Sequence, residues 1–392
     1  MKYSYGYANP RPSSSPKKLV IIGIVAGILL LGLGLFLHFG SGSKVRELSI
    51  ACCSGSIDSI TARRFEETFS CTVKVDSFAS SDDLAAKLEK GHYDLVFVDS
   101  FLAWRLSSLE DGFVSLAKYG ELLPNLKTLD RKLLMPFPDQ ECSYSVPYMI
   151  GVSGLWYDAS AISAAPQSWQ ILADPRFRNR TMLMDEPRRG ISLALLAAGR
   201  DPKLQTPEDL AAAEQVLKSW SENGVDLASR STFQSLVVAN RPLLIQGYME
   251  LPPRLPKTSK AKYFFVIPEE GGELYLDVGC ITRKAKDPKL ACKFLNFLHD
   301  ADVAKANCER LSMICPNEQI YPFIRARLAN HPVMQKHIAK RCKTFKSLAK
   351  ADSQKNLIRW NNIFHPVSAE VPDAAKTGKP PAAKTAPAPS IK

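Results

Sequence analysis

Cys52 and Cys53 are adjacent at the end of an apolar segment, and a thiol at a strand end is a nucleophile when a neighbouring base lowers its pKa. The sequence offers Cys53 no identifiable base. The pair also lacks the C-x-x-C spacing of tetrahedral zinc sites, and no His pair sits beside it. His92, His299, His331, His337 and His365 are scattered, with no Asp or Ser partner implied. A catalytic triad, a metal centre and a cofactor are therefore not expected. Trp156 and Trp169 have the faces for stacking on a ligand, but their apolar neighbours mark them as packing groups. Nine cysteines is an odd number, so at least one is free or intermolecular in an oxidising compartment. Cys308 and Cys315 are close in sequence, and Cys52 or Cys53 could meet Cys71 if the strands they end and begin are neighbours.

The elements that would carry these residues alternate. Residues 45–52 read as a strand and 58–68 as a helix capped by Asp58, with Ile60 and Phe65 facing inward. Residues 71–78 form a second strand, Ser81 caps a helix over 82–90, and 93–98 is a third strand. Its consecutive Leu95, Val96, Phe97 and Val98 suit a parallel strand covered on both faces. This β-α-β-α-β order predicts an open α/β sheet, whose ligands sit beyond the carboxyl ends of the strands. A second set follows, with strands at 180–184, 243–246 and 263–267 and a long helix at 208–222. Beyond residue 291 the pattern is helical.

With 392 residues, 45% of them hydrophobic and 23% charged, the chain can bury one large or two medium lobes. The net charge of +12 does not imply nucleic acid, because part of the excess lies in the two tails and in residues 336–355. There Lys336, Lys340, Arg341, Lys343, Lys346 and Lys350 alternate with Ile338, Phe345 and Leu348 at helix-like spacing. Such a helix would pack on the body with a solvated face, or lie on an anionic membrane surface. Residues 19–39 contain no Asp, Glu, Lys or Arg, and at 1.5 Å per residue they would cross a hydrocarbon core of about 30 Å. Lys2, Arg11, Lys17 and Lys18 precede this run without an acid, so residues 1–18 are expected in the cytoplasm and the large domain outside. Small residues at 40–43 would suit a signal peptidase, but the run exceeds the 7–15 residues of a signal core, which favours a retained anchor. Residues 366–392 collapse to Ala, Pro, Lys, Thr and Ser, a composition expected to be disordered.

Several blocks carry a resemblance. They are YSVPYMIGVSGLWYD at 144–158, Pro166 to Trp169 with 172–180, residues 182–188, FVIPEEGGELYLD at 265–277, KAKDPKLACKFLNFL at 284–298, and Cys315-Pro316-Asn317. Through them residues 48–363 resemble the periplasmic solute-binding proteins of bacterial polyamine ABC transporters, the spermidine/putrescine-binding family. The resemblance implies a type II periplasmic-binding-protein fold: two α/β lobes gripping a ligand in a cleft, here with one N-terminal transmembrane helix added. The crossings between lobes would be residues 144–151 and 276–281. Lobe one would be 45–146 with 278–320, and lobe two 147–277 with 321–365. The implied role is not enzymatic: a domain in the periplasm, tethered to the cytoplasmic (inner) membrane, handing a polyamine-like solute to an ABC permease. The same fold could instead serve as a tethered sensory or scaffold protein that has lost the polyamine site.

The family sets carboxylates against ammonium groups and aromatic faces around the methylene chain. Carried over position by position, the resemblance places Asp277 as an amine-receiving carboxylate and Tyr275 where a Trp is usual. Asp99 and Phe101 match a Ser and a Tyr of the first-lobe loop. Glu186 matches an acid of a D-D-x-R-E block whose final Glu is here Arg189. Cys53 and Ser56 stand for a Trp and a Tyr, Gly247 next to Tyr248 for another Trp, and Met313 for a Tyr. An inward Arg189 would repel a diammonium ligand or clamp the carboxylate of a zwitterion; an outward one would face solvent or pair with Glu186.

Overall fold

The strands at the centre of the molecule are apolar on both faces because both faces are covered. In β1 (Arg46–Cys53), Leu48, Ile50, Ala51 and Cys52 are all buried, and in β3 (Leu95–Asp99) so are the four residues before Asp99. The computed structural model describes residues 45–366 apart from 54, 79–80, 111, 329–340, 346–347 and 349. The expected tail at 1–18, the membrane span at 19–39 and all but the first residue of the tail at 366–392 lie outside the described residues.

β1 pairs in parallel with β2 (Cys71–Phe78) and with β3. The intervening helix Ser59–Phe69 starts where Asp58 accepts the Thr61 N–H at 3.2 Å. Phe65 is buried as its spacing predicts, but Ile60 is 53% exposed. Thr61, Ala62 and Phe65 take the inner stripe, and a residue five positions before Phe65 falls well off it at 100° per residue.

β5 (Thr181–Met184), β6 (Val225–Ala228) and β7 (Leu244–Tyr248) make a second parallel group. The two groups are joined by β4 (Val146–Asp158) and β9 (Leu274–Ile281), which run antiparallel to each other and to their outer neighbours. Among the described residues nine strands thus form one sheet, in the order β2-β1-β3-β9-β4-β7-β5-β6, with β8 (Tyr263–Val266) also paired to β4. The start of β4 is fastened from behind by His299, whose buried Nε2 lies 2.7 Å from the Pro147 carbonyl; burial pushes this imidazole down to about 4 and keeps it neutral.

All nine cysteines are free thiols. A Cys53–Cys71 bridge is excluded by the parallel register, which sets Cys71 opposite Arg46 and Cys53 opposite Phe78. The two thiols are thus at opposite ends of the strand pair, about 23 Å apart at 3.3 Å per residue. Cys308 and Cys315 do meet, but as a hydrogen bond from the Cys315 N–H to the Cys308 Sγ at 3.2 Å.

The basic stretch expected as one helix over 336–355 is not helical at residues 342–345. Lys343 bridges Glu273 in parallel, with Leu274 N–H donating to the Lys343 carbonyl at 2.8 Å and Lys343 N–H to that of Gly272 at 3.0 Å. Gly271 makes this approach possible: its φ of +97° is left-handed, and a Cβ there would overlap the Arg341 carbonyl. Phe345 and Leu348 are core residues, and Lys350–Phe364 is a helix. That last helix packs on Pro187–Ala197 and Pro207–Glu222. Its Trp360 is fully buried against Gly190, where any Cβ would overlap the ring, and its Nε1 donates to Asp185 Oδ1 at 2.8 Å. Trp360→Phe keeps the apolar contact and deletes a hydrogen bond to a carboxylate, so urea denaturation should show a loss of about 1.5 kcal/mol.

Candidate functional site

The carboxyl ends of the parallel strands converge on one cluster of charged and aromatic side chains. Asp99 ends β3 and caps the helix Ser100–Ser107 by accepting the Phe101 N–H at 3.0 Å. Glu186 follows β5 and precedes the helix Pro187–Ala197, whose first turn carries Arg188 and Arg189. Arg230 lies just past β6, and Tyr248 ends β7. Glu273, Tyr275 and Asp277 alternate into and along β9, so the period of two sets them on one face.

Arg189 is at the centre. Its Nε donates to Glu273, and its Nη1 donates to Glu186 Oε2 at 2.7 Å and to the Tyr248 hydroxyl at 3.0 Å. The guanidinium lies 5.0 Å from the ring centroids of both Tyr248 and Tyr275, which meet edge to face at 5.6 Å and 81°. The Tyr248 hydroxyl donates in turn to Glu186. Arg230 lies 4.5 Å over the Tyr248 ring, 3.4 Å from Glu250 Oε1 and 3.9 Å from Glu186 Oε1. Arg188 Nη2 donates to Glu273 Oε1 at 2.7 Å, so this buried acid, 2% exposed, holds two guanidiniums. Gly151 lies beneath Tyr275, and a Cβ there would overlap the ring.

The carboxylates divide into two classes. Burial pushes Glu186 up, but Arg189, Arg230 and the Tyr248 hydroxyl prevail and hold it at about 2. Asp277 goes the other way: burial first, then the Asp99 carboxylate, push it up to about 7 against the pull of Arg230. The β3–β9 register sets Asp99 directly opposite Asp277. Burial raises Asp99 as well, only partly offset by Arg188 and Arg189, and its Oδ2 is buried without a hydrogen-bond partner. The pair is thus under-neutralised, and an ammonium group placed between the two would relieve both.

Of the residues expected at the site, Asp99, Glu186, Arg189, Tyr248, Tyr275 and Asp277 are brought together. Cys53 is near enough to feel Asp277, Arg230 and Arg189, but burial and then Asp277 push its thiol up to about 12, so it is no activated nucleophile. Phe101 packs in the apolar cluster around Val98, Ser56 sits in a turn with its N–H donating to the Cys53 carbonyl at 3.0 Å, and Met313 is buried in the core. None of these three contacts the arginine cluster. Trp156 and Trp169 are core residues as expected, and Trp156 supports Tyr248 by donating to its carbonyl at 2.9 Å. Arg189 points inward and pairs with Glu186 at once, joining two alternatives that sequence reasoning keeps apart. Among the described residues no group of His, Cys, Asp and Glu could hold a metal ion.

Arg230, Glu250 and Glu273 escape sequence reasoning. Glu273 carries a signal, since it stands two residues before a candidate aromatic and so on its side of the strand; Glu250 lies in the turn after β7. Arg230 has only its place past a strand end.

Residues 61–337 match the family described as bacterial extracellular solute-binding protein. The chain is 27% identical over 248 residues to the spermidine/putrescine-binding periplasmic protein 1 of Haemophilus influenzae, covering 62% of this chain and 66% of that one. It is 27% identical over 281 residues to the spermidine/putrescine-binding periplasmic protein of Salmonella typhimurium, covering 68% and 76%. Among solved structures it resembles the Tp0655 lipoprotein of Treponema pallidum, with a TM-score of 0.69 at 20% identity over 81% of this chain and 99% of that one. A spermidine/putrescine ABC transporter protein from Listeria monocytogenes gives 0.66 at 23% identity over 82% and 98%. These likenesses establish the α/β periplasmic-binding-protein fold.

Proposed function

The chain belongs to the bacterial extracellular solute-binding protein family, and from that premise we propose that it captures a small amine-bearing, polyamine-like solute outside the cytoplasm and delivers it to an ABC permease. The observation that carries this reading is the facing pair Asp99 and Asp277, under-neutralised beside Tyr248 and Tyr275 at the carboxyl ends of the strands. β4 and β9 would act as the hinge strands of a type II cleft, closing two lobes over the solute. The apolar run at 19–39 would tether the domain to the inner membrane and raise its effective concentration at the permease. Among the described residues no helix is long and apolar enough to cross a membrane, so the tether rests on that run. A catalytic role for Cys53 is disfavoured by its raised pKa.

Thermal and urea unfolding of the full-length protein with putrescine, spermidine and 1,4-butanediol tests the reading. An amine at 100 times its dissociation constant should stabilise the fold by about 2.7 kcal/mol, and the uncharged diol should not. Indifference to every amine would favour the second reading, a tethered sensory or scaffold protein, which the arginines already seated in the aromatic pair would permit.

A further inference from the structure

Three of the five carboxylates at the site already face a guanidinium. Glu273 holds Arg188 and Arg189, Glu186 holds Arg189, and Glu250 meets Arg230. The aromatic surfaces are engaged as well, by Arg189 against Tyr248 and Tyr275 and by Arg230 over Tyr248. The protein has thus placed its own cations where a second ammonium of a polyamine would be received. Two features are left without a well-formed ionic partner. One is the facing pair Asp99 and Asp277, with Asp99 Oδ2 buried and without a partner. The other is Arg230, whose side chain is 31% exposed and whose contacts of 3.4 Å and 3.9 Å are longer than the 2.7–2.9 Å of a well-formed charged hydrogen bond.

We propose that the ligand of this site is an ω-amino acid, a short chain whose ammonium lies between Asp99 and Asp277 and whose carboxylate is received by the guanidinium of Arg230. This rests on the amine-binding reading and narrows it. A planar guanidinium takes a carboxylate bidentately, so a ligand carboxylate improves on the loose contact that Arg230 makes with Glu250. A diamine of equal length would instead press its second ammonium against Arg230 and Arg189. A monoamine satisfies the acids and leaves the guanidinium as it is.

Calorimetric titration of the full-length protein with matched chains of three to six carbons, as alkylamine, diamine and ω-amino acid, tests the assignment. The best amino acid is expected to bind at least tenfold tighter than the amine and diamine of its length. Arg230→Gln should reduce it to the affinity of the alkylamine, and Arg230→Lys should restore part of the difference. A diamine that binds tightest, or an amino acid indifferent to Arg230→Gln, overturns the proposal while leaving the amine-binding reading intact. Absence of binding by all three classes overturns both. Should Arg230→Gln fail to fold, the ranking of the three classes on the unaltered protein decides alone.

Discussion

Asp277→Asn is expected to lower the affinity for the amine ligand by on the order of 100-fold while making the ligand-free protein more stable above pH 7. The first effect is the loss of a charged hydrogen bond in a partly buried setting. The second follows from linkage. Asp277 is raised from 3.8 to about 7 in the folded state, so between those values the folded chain holds a proton that the unfolded chain has released. Stability therefore falls as pH rises through this window, and the whole penalty is present above pH 7. A tenfold difference in proton affinity between the two states is worth about 1.4 kcal/mol, but solvent at the partly exposed carboxyl discounts the total, leaving about 1–2 kcal/mol. Asn carries no charge and removes the penalty. Urea unfolding at pH 5 and pH 8 should show the variant gaining on the parent as pH rises. Glu186 does not blur the comparison: its pKa is lowered from 4.5 to about 2, so its contribution is complete above pH 5 and is lost only toward pH 2. An equal difference at both pH values would mean that Asp277 does not carry the proton, and undiminished amine affinity would move the receiving role to another acid.

Glu273→Gln has the larger structural cost. The acid is buried and is held by both Arg188 and Arg189, so its neutralisation removes the carboxylate that Arg188 meets at 2.7 Å and leaves Arg189 to Glu186. Removing one partner of a buried ion pair costs about 3–5 kcal/mol. For a protein of this size that corresponds to a fall in Tm on the order of 10 °C. Glu186→Gln should cost less, because Arg189 keeps Glu273 and Arg230 keeps Glu250. A reversed order in scanning calorimetry would show that Arg189 is held chiefly from its own helix.

The legible parts of this fold are those in which local chemistry and burial agree. Asp58, with Phe65 behind it, marks the first helix, and the apolar run before Asp99 marks β3. The six charged and aromatic site residues that converge were reachable through matching blocks of sequence, since each stands at a strand end, on an alternating face or in the first helical turn beyond a strand. The illegible parts depend on long-range partners. Ile60 faces solvent because Thr61 and Ala62 take the inner stripe, which depends on how the helix is rolled on the sheet. The stretch around Lys343 has helical spacing but is drawn into extended pairing by the backbone opened at Gly271 and Gly272. Arg230 has no periodic partner at all, because its role comes from the Tyr248 ring and Glu250 of the next strand and its exit.

Lys343 and Trp360 also set an order in time. The strand that presents Glu273, Tyr275 and Asp277 is bridged at its start by Lys343, and the turn that presents Glu186 and Arg189 is backed by Trp360. During synthesis every residue of the charged and aromatic cluster leaves the ribosome before either support does. A chain arrested short of Lys343 would hold the whole set of recognising side chains without the scaffolding behind them. The parts of the chain that stiffen the cluster are therefore made after the side chains they support.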